Sequence, residues 1–393
     1  MKWPSSKLSA MSKKSFGMFA KAAALEGSGQ PLIHLEVGRP FHDTPAHIKK
    51  AAIDALLSGE VHYSDLRGLS PLREALAAKL RDFNKIDAIA DEVIVTDGLT
   101  HASYAAFFAS LDQDDEVILL DPYYPQHVSK IEMAGGKVVK APLDRENNFA
   151  IRAEWIRERI TPKTRMIVLV NPSNPTGRVY TRAELLDLAQ IAIEHDLIVV
   201  SDEVYEYITF GQAEHVSIAS LPGMRERTVT LFAFTKAYAM DGWRLGYLTA
   251  DKSMMPALLD VTSSTVTHVN TFIQAGALAA VTADHSHVQE MVDDDRRKRD
   301  LVSRYLGQIE GVKYSEPEGT IYAFPDVSFT GQTSDEVAKG ILEEAGVAVE
   351  SGSFYGKGGE GCIRICFGSE SYERLEEAMK KISGYLNELG RRE

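Results

Sequence analysis

Two cysteines in 393 residues, Cys362 and Cys366, are too few to staple a fold. Without further ligands beside them they do not make a zinc site either. In CIRIC they share one face of a strand and are read as reduced, partly buried thiols. Long apolar runs are missing as well, and no stretch of ~18 residues could span a bilayer. The segment MKWPSSKLSAMSKKSF has no apolar core of the kind a secretion signal needs, so a cytoplasmic protein is expected. Basic charge is in deficit: 43 Lys and Arg stand against 56 Asp and Glu, a formal net charge of −13. That balance argues against nucleic acid or an anionic membrane as partner. Internal repeats and low-complexity linkers are absent too.

What remains is the composition of a soluble globular chain, 44% hydrophobic and 25% charged, long enough for a sizeable core. From residue 93 to 250, short β-rich runs alternate with helical patterns: VIVT, EVILLD, KVVKAP, MIVLV, LIVVSDE and RTVTLFAF. They are apolar on both faces, which suits a mostly parallel sheet covered by helices. The best-defined unit runs from MIVLV through a helix to LIVVSDE. Thr181 and Glu184 form a capping box at the helix start, and Leu185, Leu188, Ala189 and Ala192 make its apolar stripe. This is a βαβ unit, and ligands of such sheets bind beyond the carboxyl ends of the strands. The fold class is therefore α/β: a large domain over 45–275 with a mostly parallel central sheet, and a smaller α+β domain built from both chain ends, 1–44 and 276–393. The run DDDRRKR is read as a solvated helix face.

Several residues stand where chemistry is plausible. NPSNPTG (171–177) leaves the end of MIVLV; taken alone it is a tight turn. Asp202 ends an apolar strand and needs a cationic or proton-donating partner, either a protonated pyridine nitrogen or a buried Lys or Arg. Tyr205 follows three residues on. Lys236 lies two residues past RTVTLFAF, where burial would lower its pKa and free a nucleophilic amine. Arg244, in Gly-Trp-Arg-Leu-Gly, suits a phosphate. A solvent-reaching lysine and a surface ion pair are the structural alternatives.

NPSNPTG, then DEVY, then a strand-borne Lys with Arg eight residues later, resembles the class I/II pyridoxal-phosphate aminotransferases of fold type I. LEVGRPFHDTP, HYSDLRGLSPLREAL, TDGLTHA, DPYYP and CIRICF resemble further stretches of that family, in order along essentially the whole chain. The resemblance implies pyridoxal 5′-phosphate as cofactor and ping-pong transfer of an amino group from an L-amino acid to a 2-oxo acid. Lys236 would form the aldimine and carry the proton, and Asp202 would keep the ring nitrogen protonated. Asn174 and Tyr205 would bond the ring oxygen, and Tyr124 would stack on the ring. Gly98, Leu99, Thr100, Thr235 and Arg244 would seat the phosphate. Arg364, with Gly38 and Asn174 nearby, would hold the substrate carboxylate. Tyr63 would reach a neighbouring subunit's site, so a homodimer is expected. No metal, nucleic acid or membrane partner is implied.

Arg39 departs from the family's usual acid and is assigned a surface ion pair. GKGGEG (356–361) fits G-x-G-x-x-G but precedes a strand instead of opening a helix, so it is read as a flexible loop at the site's mouth. His285 and His287 are read as a solvated turn. Other outcomes of the same cofactor stay open: β- or C–S elimination, racemisation, decarboxylation or oxidation. So does a non-catalytic ligand sensor on this fold. A nicotinamide dehydrogenase lacks its fingerprint.

Overall fold

The computed structural model describes residues 3–11 and 17–391. In chain order its strands are β1 (Ile33–His34), β2 (Val93–Thr96), β3 (Glu116–Asp121), β4 (Lys137–Pro142), β5 (Thr164–Val170) and β6 (Ile198–Asp202). β7 (Thr228–Ala233), β8 (Gly246–Thr249), β9 (Tyr322–Ala323), β10 (Val347–Ala348), β11 (Glu350–Ser351) and β12 (Ile363–Cys366) follow. Seven of them form the central sheet, in the order β2-β8-β7-β6-β5-β3-β4.

Side chains alternate across this sheet, and both faces are buried. Val117 and Leu119 join Met166 and Val168 against Ala102, Ala105 and Phe107 of the helix Gly98–Ser110. Ile118 and Leu120 point the other way, with Ile167 and Leu169, against Leu185 and Leu188 of the helix Arg182–Glu194. Burial on both sides is why these strands read as unbroken apolar runs. The predicted capping box is present, with Thr181 Oγ1 accepting from the Glu184 amide. β3, β4, β5, β6 and β7 are mutually parallel, whereas β8 is antiparallel to both β7 and β2. The sequence reading did not assign GYLT to a strand. No crossover helix separates it from β7, so the chain returns in the opposite direction.

The two ends of the chain meet. β1 pairs in parallel with β10, and β11, β12 and β9 make an antiparallel sheet. The helices Ser286–Leu306 and Tyr372–Leu389 contribute to the core there, with Leu301, Val302, Leu375 and Ile382 buried together. Cys362 and Cys366 are free and fully buried, more so than expected.

Two sequence readings fail in this region. DDDRRKR is not a uniformly solvated face, because Asp295 and Lys298 are buried. One helical turn apart, they share the inward stripe of Met291, Val292, Leu301 and Val302. His285 and His287 are half-buried among rings instead of solvated. His287 lies edge-on to His47 at 4.9 Å, and His285 lies 5.6 Å from Tyr207.

Candidate active site

The parallel strands bring their carboxyl ends to one edge of the sheet. β2 leads to Gly98–Thr100, β3 to Tyr124, β5 to Asn174, β6 to Asp202 and Tyr205, and β7 to Thr235 and Lys236. Because β8 runs backwards, the residue just before it, Arg244, reaches the same edge; Gly246 pairs with both Thr96 and Ala233. A cleft of about 1350 Å³ opens there. Leu99, Thr100, Tyr124, Asn174, Asp202 and Tyr205 line it, as do Thr235, Lys236, Arg244, Gly38 and Arg364.

The Lys236 amine donates to the Gly38 carbonyl and lies 5.8 Å from the centre of the Tyr205 ring. Burial holds its pKa down to about 8, against the attraction of nearby acids. Asp202, 2% exposed, has no lysine or arginine ion pair among the described residues. Its Oδ2 lies 3.3 Å from Nε2 of buried His127. Burial lowers the His127 pKa and so favours a neutral ring. The carboxylate thus keeps capacity for a cation presented from the cleft.

An anion seat lies at the start of the helix Gly98–Ser110. Gly98 has φ of +72° and begins a helix of 13 residues, whose first amides have no partner within the helix. A Cβ on Gly98 would stand 2.7 Å from Arg244 Nη2, so the guanidinium rests against the helix start. Arg244 itself has φ of +54°, left-handed for a non-glycine residue, which costs about 1 kcal/mol or more. Its Nη1 donates to the Asp241 carbonyl at 2.8 Å. Gly98 is behind the cleft wall; Leu99 and Thr100 form it.

At the other end, Arg364 is buried. Its Nη1 donates to Asn174 Oδ1 at 3.2 Å and its Nη2 to the Glu36 carbonyl, leaving buried Nε without a hydrogen-bond partner. The guanidinium lies 4.3 Å from the Tyr322 ring centre. Tyr322 in turn shares a 2.7 Å hydrogen bond with Tyr205, and a side chain on Gly38 would collide with its hydroxyl. Glycine at 38 is thereby required for the close approach.

Apart from Gly98, which backs the wall, Tyr63 is the predicted site residue that does not line the cleft. It is 88% exposed and packs edge-on against His268 at 4.7 Å. Arg39 is exposed, off the cleft wall, and makes no ion pair with the described residues. The GKGGEG loop is packed, not loose: the Gly358 amide donates to Asp121 Oδ1 at 2.9 Å, and Tyr123 N bonds the Tyr355 carbonyl at 2.9 Å. Sequence reasoning missed His127, Tyr322 and Glu350. His127 follows Tyr124 by one helical turn, a spacing that could have flagged it. The other two sit on short strands with weak alternation.

The chain belongs to the aminotransferase class I and II family, whose pattern it matches over residues 30–382. It is a pyridoxal-phosphate-dependent aminotransferase of fold type I. Among its relatives, the aromatic-amino-acid aminotransferase 2 of Thermococcus litoralis is 38% identical over 374 residues, 94% of this chain and 95% of that protein. The aspartate aminotransferase of Pyrococcus abyssi is 40% identical over 360 residues, 91% of this chain and 92% of its own length. A solved structure of the Thermus thermophilus aspartate aminotransferase with maleate superimposes with a TM-score of 0.91. It is 36% identical, and the match covers 98% of this chain and all of the other. The residues present fit the cofactor: one cleft holds an amine of lowered pKa, a buried carboxylate without a cationic side chain, and an anion seat at a helix start.

Proposed function

We propose that Lys236 is the catalytic amine of an amino acid:2-oxo acid aminotransferase working in two half-reactions. The observation that carries this reading is the convergence of Lys236, Asp202 and Arg364 on one cleft, with Lys236 held at about 8. Pyridoxal phosphate, when bound, supplies the aldehyde and an electron-withdrawing ring. Asp202 would hold a proton at the ring nitrogen, backed by His127. Asn174 and Tyr205 would hydrogen-bond the ring oxygen, and Tyr124 would cover the ring face. The amides of Gly98, Leu99 and Thr100, with Thr235 and Arg244, would seat the phosphate. Arg364 grips the substrate α-carboxylate from its buried position, with Asn174 and the Gly38 backbone alongside. Lys236 then moves the proton removed from the substrate's α-carbon.

The protein works as a homodimer in this reading, with Tyr63 completing the neighbour's site. Ile53, Leu57, Val61 and Leu66, exposed and near Tyr63 in the sequence, supply apolar surface for a second copy. The chain divides into a cofactor domain (45–275) and a smaller one (1–44 and 276–393), and acts in the cytoplasm. Substrates are proposed among those named for its relatives, aspartate and aromatic amino acids. Adding an amino donor alone to the holoenzyme should convert the cofactor to its amine form. Release of ammonia without that conversion would overturn transamination in favour of elimination or oxidation.

A further inference from the structure

Two acids flank the carboxylate-gripping end of the cleft, and the roles above use neither. Glu350 and Arg364 are register partners in the antiparallel β11–β12 pair, so their side chains leave the same face of the sheet. Glu350 lines the cleft, 4% exposed. Both of its oxygens accept from the Met18 amide, at 3.1 and 3.2 Å, near the start of the helix Gly17–Gly27. Glu36, 3% exposed, also lines the cleft; its Oε1 lies 2.9 Å from His34 Nδ1, and its Oε2 has no hydrogen-bond partner. Neither carboxylate forms an ion pair with Arg364, whose charge stays available to a ligand.

Met18, Phe19, Val37, Leu99 and Tyr124 give the wall an apolar part. A substrate with two carboxylates needs a second cation here. Among the described residues the other lysines at the cleft are Lys21, Lys137 and Lys140, all exposed, and Lys137 already pairs with Asp114 at 2.7 Å. Exposed ammonium groups bind anions weakly because water competes and salt screens them.

We infer that Glu350 is a specificity-determining residue: set opposite Arg364, it makes the cleft select amino acids with neutral, apolar side chains over dicarboxylic ones. The reading rests on the carboxylate-binding role of Arg364. One carboxylate is accepted because Arg364 offsets it; a second meets Glu350 and Glu36 with no buried cation among the described residues, beyond the Lys236 amine, to answer it. Burial pushes the Glu350 carboxyl up to about 7, with Arg364 pulling the other way. The charged form is therefore the one examined at about pH 8.5.

The test compares two unreactive carboxylates, succinate and 3-phenylpropionate, by titration calorimetry against the holoenzyme at about pH 8.5, in the wild type and in Glu350→Gln. Glutamine keeps the size of the side chain and an oxygen for the Met18 amide. The wild type should bind 3-phenylpropionate the more tightly, and Glu350→Gln should narrow the gap about tenfold by strengthening succinate. Glu350→Leu, which removes charge and amide alike, should narrow it in the same direction. The ratio of kcat/KM for phenylalanine to that for aspartate should fall by a similar factor in both variants. Succinate binding as tightly as 3-phenylpropionate to the wild type, a comparison that needs no variant, would overturn the inference. So would a ratio indifferent to Glu350→Gln. Absence of amino transfer with every amino acid would instead strike the functional reading, and the binding comparison would still decide the role of Glu350.

Discussion

Trace acetylation of the cofactor-free protein between about pH 6 and about pH 11 isolates the property on which the proposed chemistry turns. With the Lys236 pKa at about 8 instead of 10.5, the neutral amine at pH 7 is roughly 300 times more abundant than on an ordinary lysine. Its labelling, read by mass spectrometry of the Lys236 peptide, should rise tenfold per pH unit and level off near 8. Ordinary solvent-exposed lysines should keep rising beyond about pH 10. The causes of the shift can be separated. Burial is the largest; Arg364 also lowers the pKa, whereas Cys366, Asp241 and Asp202 raise it. Arg364→Gln should therefore move the plateau to higher pH, and Asp202→Asn should move it lower. A Lys236 profile that climbs to pH 10 alongside the exposed lysines would refute the argument that burial makes this amine a nucleophile. A plateau near 8 that ignores both substitutions would retain burial and discard the neighbours.

Arg364→Ala should raise KM for amino acids about thirtyfold, ~2 kcal/mol for one charged hydrogen-bonding partner, with a smaller change in kcat. Lysine at 364 should not restore it, since the fork that reaches Asn174 and Glu36 is lost; restoration would count against a two-pronged grip. Mixing inactive Tyr63→Ala and Lys236→Ala chains should recover activity, because a mixed dimer would hold one site with both residues intact. No recovery after verified subunit exchange would remove Tyr63 from the neighbour's site. Burial raises the Asp295 carboxyl to about 7, so the folded state holds its proton more tightly than the unfolded one. That stabilisation is complete below the unfolded pKa and is lost as pH climbs through about 7. Asp295→Asn should accordingly gain Tm relative to the wild type between about pH 5 and about pH 8.5; a difference constant with pH would contradict the buried assignment.

The large sheet was legible because parallel strands buried on both faces leave uninterrupted apolar runs, and because capping at Thr181 marks a helix start. β8 was not: four residues between glycine-rich and polar stretches give little periodicity, and its reversal depends on pairing with β2 and β7. Residues near the ends of long strands, Asn174, Asp202 and Lys236, stood out by polarity against apolar neighbours. Tyr322 and Glu350 lie on strands of two residues, where position is set by partners distant in sequence. DDDRRKR misled for a related reason: charge density hides which two members of a helical run face inward. The spacing from Tyr124 hinted at His127, but its partner needed the fold, since only β3 beside β5, and β5 beside β6, bring it to Asp202.

The proposed chemistry requires that Lys236 condense with the cofactor aldehyde. Purified protein incubated with pyridoxal phosphate, reduced with borohydride and digested should carry one pyridoxyl group, on the peptide containing Lys236. An unlabelled Lys236 peptide, with the label on another lysine or nowhere, would contradict it.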